Sequence, residues 1–204
     1  MYDKTKLFNL ALSALFLQKR ITNADTDTSV EGLTLQVNWD TAYYSALSDL
    51  DLDSTSTIKV LSQLVINPNE HWAYAYLYPT DCAHFRRILT SNVKDDAYTT
   101  IDRKIGIHSG QKVIFTNQQA AYGEYVIKDV PMASLTPEAA IYVSLKLASL
   151  CAPLIVGKNS DNVVRTIERR MSQALFDAQQ KDNAETSIYT HDYQKSEFAR
   201  ERLS

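Results

Sequence analysis

Cysteine, glycine and histidine are all scarce in this 204-residue chain, and each scarcity closes off a class of function. The two cysteines, Cys82 and Cys151, are too few for a disulfide scaffold and do not form a CxxC metal site. Both are expected to be reduced thiols of a protein made in the cytosol. Five glycines leave little material for a phosphate-cradling loop, which disfavours nucleotide binding. Four histidines, His71, His84, His108 and His191, include no pair at the spacing of a compact metal motif, so neither metal nor cofactor is expected. An excess of one charge is lacking too. The formal net charge of −3 gives no general attraction for nucleic acid or anionic membranes. The most apolar N-terminal stretch, "LFNLALSALFLQKR", is uncharged only from Leu7 to Gln18, too short to cross a bilayer as a helix. It is followed by Lys19 and Arg20 instead of a small-residue cleavage site, so it is expected to stay on the protein.

The catalytic inventory is equally thin. Cys82 and His84 lie two apart in an extended segment, where they would share a face, but no third group orients the imidazole as a base. The carboxylate pairs Asp95-Asp96 and Asp51-Asp53 sit in turn-like, solvated sequence, without the burial that raises a carboxyl pKa for acid catalysis. No enzyme is expected.

What the chain does have is a sequence of helical and extended patterns. Apolar residues at 7, 10, 11, 14 and 17, with a second set at 8, 12, 15 and 16, predict a first helix that is apolar nearly all round. Such a helix must be covered on several sides, at the centre of the fold or at a subunit boundary. Thr28 and Glu31 read as a capping box for a second helix running to about Leu50. Its predicted apolar face is Leu33, Val37, Tyr44 and Leu47, broadened by Leu35, Trp39, Ala42 and Ala46. From about residue 57 to 130 short β runs alternate with turns at Pro68-Asn69, Gly106, Ser109-Gly110, Asn117 and Gly123, a module of four to six strands. Thr136-Pro137-Glu138 then restarts a helix, ended by Pro153 and Gly157. A last helix is predicted from about Ser160 to Asp182, and residues 183–204 have no convincing period and read as an extended tail or arm. The predicted class is α+β: a bundle made of residues 1–56 and 131–182, with the β module of 57–130 inserted between them.

One stretch in the module stands out. "HWAYAYLYPTDC" places Trp72, Tyr74, Tyr76 and Tyr78 at every second position, which on a strand puts four rings on one face. They are either the inner face of a packed sheet or a stacking platform for bases or sugars, with Arg86 and Arg87 nearby to hold an anionic backbone. Residues 85 to 130 carry seven bases against five acids, a small excess.

Trp72, Tyr74, Tyr76, Pro79, Asp81 and Cys82, followed by Arg86-Arg87-Ile88, resemble the hallmark strand of the tail tubular protein A family, the head-to-tail adaptors of short-tailed, T7-like bacteriophages. "LFNLALSALFLQKRITNADTDTSVEG" is similar to that family's opening helix, acidic turn and second helix, and "LASLCAPLIVGKNS" and "ALFDAQQKDN" to its third and fourth helices. The resemblance spans about residues 5 to 183 in order. It departs between the second helix and the sheet, where "DLDLDSTSTIKVL" stands in place of the family's Trp-x-Phe-Ala stretch.

The resemblance implies a structural virion protein without catalytic, cofactor or metal sites. It implies a dodecameric ring between portal protein and tail nozzle protein through which DNA passes, in the neck of a particle assembled in host cytoplasm. The aromatic strand would then serve packing or a subunit contact, with Pro79 to Cys82 as a turn and Asp81 capping backbone amides. In the tail, Tyr189, Tyr193, Phe198, Arg200 and Arg202 are the residue types that would anchor to the portal or a neighbouring subunit. Two other classes stay open: a β-sheet module binding single-stranded nucleic acid or glycan through the aromatic stripe, and a cell-wall hydrolase, for which no residue set is evident.

Overall fold

The computed structural model describes residues 1–91 and 101–201, with side chains described through residue 185 apart from Asn159. The chain is α+β and divides into two compact units, one made of residues 1–54 and the chain from Val130 onward, the other of Thr55–Asp129.

The first unit is built from four helices: α1 (Lys4–Ala14), α2 (Val30–Leu50), α3 (Pro137–Ile155) and α4 (Ser160–Glu201). Helix α1 starts at Asp3, whose carboxylate accepts from the Lys6 amide at 2.7 Å. Asn9 on α1 pins the loop that follows, donating from Nδ2 to the Ile21 carbonyl and accepting from the Ile21 amide, both at 2.8 Å. Helix α2 is capped one residue later than predicted. Ser29, not Thr28, accepts from the Gly32 amide, because Asp27 in turn holds the Ser29 hydroxyl and amide. Helix α3 begins as the sequence suggests, with Thr136 accepting from the Ala139 amide and Pro137 at the first helical position. It passes through Pro153 and stops at Ile155, with Gly157 just beyond at φ +71°.

The centre of the bundle is α3, which packs on α1, α2 and α4. Its buried residues include four alanines, Ala139, Ala140, Ala148 and Ala152, small side chains that let the neighbouring helices approach closely. Helix α1 is covered by its own chain: Leu7, Phe8, Ala11 and Leu12 are fully buried, and Phe8 lies 5.6 Å from Trp39 of α2, centroid to centroid. Its apolarity therefore needs no neighbouring subunit, contrary to the second of the two expectations. Helix α4 buries Ile167, Ala174, Ala178 and Asp182, one line along the helix. The Asp182 carboxylate accepts from the backbone amides of Asp53 (2.6 Å) and Ser54 (3.2 Å), fixing the point where the chain leaves the bundle. Past Asn183 the backbone remains helical to Glu201, where the sequence predicted an extended tail.

The second unit holds β1 (Ser56–Val60), β2 (Tyr74–Leu77), β3 (Cys82–Leu89), β4 (Arg103–His108), β5 (Gln111–Thr116) and β6 (Tyr122–Ile127). They form two antiparallel three-stranded sheets, ordered β1-β6-β3 and β2-β5-β4. Strands β4 and β5 are joined by Ser109 and Gly110, both at positive φ, the two-residue turn whose twist matches a hairpin. Tyr76 and Ile114 of one sheet and Phe85, Ile88 and Tyr125 of the other bury into a common core with Leu61, Cys82 and Ala121. Gly123 lies under the Phe85 ring, where a Cβ would come within 2.8 Å of it.

Candidate functional site

The aromatic strand leads inward. Tyr74, Tyr76 and Tyr78 all pack on the core between the sheets, and Tyr76 is 1% exposed, its hydroxyl donating to the Gln118 carbonyl at 2.9 Å. Trp72 does not share their face. Strand β2 begins only at Tyr74, and the turn before it carries Trp72 to the opposite side, against Ala75, Val113 and Phe115. The stripe of four is a stripe of three tyrosines, used for packing. A stacking platform of Trp72, Tyr74 and Tyr76 has no common surface to stand on.

The residues after the stripe form the predicted turn, closed by the Cys82 amide donating to the Pro79 carbonyl at 3.2 Å. Asp81 acts differently from the expected amide cap. Its two carboxylate oxygens accept from the Tyr125 hydroxyl (2.8 Å) and the Lys59 ammonium (2.7 Å), linking the turn to β6 and β1. The Lys59 contact holds the Asp81 carboxyl below the usual carboxylate range, with the Tyr125 hydroxyl adding to it. Burial, followed by the bond to Asp81, pushes the Tyr125 phenol upward. The Cys82 thiol donates to the Tyr78 hydroxyl at 3.2 Å, and burial raises its pKa, which makes it a poor nucleophile.

Around this turn opens a cleft of about 780 Å³, lined by Leu61, Leu77, Tyr78, Lys59, Lys112 and Lys128 among others. Its cations are engaged: Lys59 with Asp81, Lys128 with the Thr80 carbonyl at 3.1 Å, and Lys112 3.8 Å from the centre of the Tyr78 ring. The arrangement fastens a turn to two strands, and it brings together no nucleophile and base.

The two irregularities of β3 account for the other sequence-level pairs. Between Phe85 and Arg87 the register against β6 slips by one, so Arg86 is an extra residue. Consecutive side chains that would point to opposite faces can then reach the same partner. Arg86 Nη1 (3.2 Å) and Arg87 Nε (2.6 Å) both donate to Glu124, which is 2% exposed. The arginines thus serve a buried carboxylate. Between Cys82 and His84 a similar slip occurs, and Cys82 is buried while His84 is exposed, where the sequence placed them on one face. Both cysteines are free, and burial pushes the Cys151 thiol up to about 12. Among the described residues, no group of three or more His, Cys, Asp or Glu side chains is placed to hold a metal.

The side chains of Tyr189, Tyr193, Phe198 and Arg200, and Arg202 altogether, lie outside the described residues. Of the apolar face read from the sequence of α2, Leu33, Val37 and Tyr44 are exposed, Val37 to 81%, as is Val30, while Leu47 is buried together with Leu35, Trp39, Ala42, Tyr43, Ala46 and Leu50. The signal was present as a second apolar set on the same helix, wider than one face against a bundle requires.

Neither a family model nor a curated protein matches the chain.

Proposed function

We propose that this protein is a structural subunit of a ring-shaped adaptor, placed between the portal and the tail nozzle of a short-tailed phage particle and traversed by the genome. The observation that carries the reading is the ordered resemblance from about residue 5 to 183. Its segments fall in turn on α1 and α2, on the strand β2 with its closing turn, on α3 and on α4. The exposed apolar residues Val30, Leu33 and Val37 on α2 support it further, because exposed apolar surface commonly marks an interaction site. Helix α1, covered within the chain, lends no support. The reading assigns no catalysis, and the hydrogen-bonded turn at Asp81 acts as a brace. Residues 184–204 would serve as an arm in which Tyr189, Tyr193, Phe198, Arg200 and Arg202 contact the portal or an adjacent subunit.

Light-scattering mass of the purified protein, alone and mixed with the portal of the same genome, tests the reading. A ring-sized species, or one appearing only with portal, is the expected result. A strict monomer indifferent to portal would refute it. If the arm grips the portal, deletion of residues 184–204 abolishes docking, and undiminished docking removes the arm from the proposal.

A further inference from the structure

We propose that the cleft beside the Asp81 turn is a binding site for a small organic phosphate monoester, held between Lys112 and Lys128. The site lies within the β module and is independent of the ring reading.

Of the three lysines that line the cleft, only Lys59 is neutralised, by the Asp81 carboxylate. Both oxygens of that carboxylate are taken, one by Lys59 and the other by the Tyr125 hydroxyl. Lys128 is bonded to the Thr80 carbonyl, and Lys112 lies over the Tyr78 ring. A carbonyl and a ring face orient an ammonium without cancelling its charge. Neither Lys112 nor Lys128 has a carboxylate partner among the described residues, so three lysines and one aspartate leave the cleft with two positive charges. In a chain whose net charge is −3, that concentration is local. Burial pushes the Cys82 thiol up, and Lys112 and Lys128 both act to lower it, so both ammoniums lie within reach of one point on the cleft wall. The Tyr78 hydroxyl is at the same wall, where it accepts from the Cys82 thiol and keeps its own proton to donate.

Charge selects the ligand. A carboxylate or a phosphodiester carries one negative charge and would leave one ammonium uncompensated, whereas a phosphate monoester carries about two at neutral pH. Its terminal oxygens can accept from Lys112, Lys128 and the Tyr78 hydroxyl together. Lysine holds phosphate as a point charge, so the scarcity of glycine, which bears on loops built from backbone amides, does not bear on this site. Leu61, Leu77 and Pro79 add an apolar wall for the organic part. The cleft, at about 780 Å³, falls within the roughly 300–1,000 Å³ of sites that take small organic ligands.

Calorimetric titration of the full-length protein with phenyl phosphate tests the site. Phenyl phosphate should bind about tenfold more tightly than diphenyl phosphate, which has one charge, and than inorganic phosphate, which has no apolar body. No binding of phenyl phosphate at millimolar concentration overturns the proposal, as does equal binding of either comparison compound. An oligonucleotide without a terminal phosphate that binds more tightly than phenyl phosphate would assign the cleft to a nucleic-acid backbone instead. Lys112→Gln and Lys128→Gln should each weaken binding about tenfold, while Lys104→Gln, outside the cleft, leaves it unchanged. Asp81→Asn frees Lys59 and adds positive charge, so binding should tighten in that variant, a gain that misfolding does not produce. Affinity unmoved by both cleft lysines, or weakened by Asp81→Asn with the circular dichroism spectrum intact, places the anion elsewhere and overturns the site.

Discussion

Glu124 shows how a single buried charge can depend on a backbone irregularity. It is held by Arg86 and Arg87, which reach it together only because β3 carries an extra residue at that point. Removing one member of such a set leaves charge buried without its partner. Glu124→Ala is therefore expected to destabilise the β module by about 3 kcal/mol, measured by urea unfolding. A loss below about 1 kcal/mol would mean that the arginines simply swing to solvent. The arginine pair was visible in the sequence, but its partner was not, since a register slip leaves no mark on residue identity. Asp81 gives a prediction about pH. Its carboxyl is held low in the folded state by Lys59, so the contribution is present above the ordinary carboxylate pKa and is lost as pH falls through the depressed value. Asp81→Asn should weaken the protein near neutral pH and flatten the acid limb of its stability profile, as melting temperatures from pH 7 down to pH 2 would reveal. Parallel profiles for variant and wild type would contradict this.

At the level of elements, the helix starts were legible because caps are local. Thr136-Pro137-Glu138 starts α3 as written, and α2 misses by one residue because Asp27 competes for the same turn and orients Ser29. Ser29→Ala should cost about 1 kcal/mol, read by thermal unfolding, whereas Thr28→Ala should be close to neutral. Equal effects would return the cap to Thr28. Burial was less legible than position. Helix α2 has two apolar sets, and which one faces α3 depends on tertiary packing, so Leu33, Val37 and Tyr44 were assigned to the core and lie on the surface. Trp72 misled for a similar reason, since alternation continues in the sequence beyond the point where β2 begins. The helical continuation of α4 past Asn183 has little apolar period to announce it.

Across the whole chain, the order of helices, strands and helices was legible because the periodicity changes from 3.6 to 2 and back, and it gives the observed α+β class. How a module can interrupt a bundle follows from the register of its first and last strands. Strand β1 opens the module and β6 closes it, and the two pair antiparallel with Ser56 opposite Val126, so the chain enters and leaves at nearly the same place. An insertion with adjacent ends leaves its host's connection short. The module also has a core of its own, drawn from both of its sheets. Residues 55–129 expressed alone should therefore give a β-type circular dichroism spectrum and a cooperative melt. The complementary chain, with Ser54 joined to Val130 by a short Gly-Ser linker, should keep its helical signal. If the excised module is unfolded while the linked bundle stays helical, the sheets draw stability from the bundle; if both unfold, the two units fold only as one.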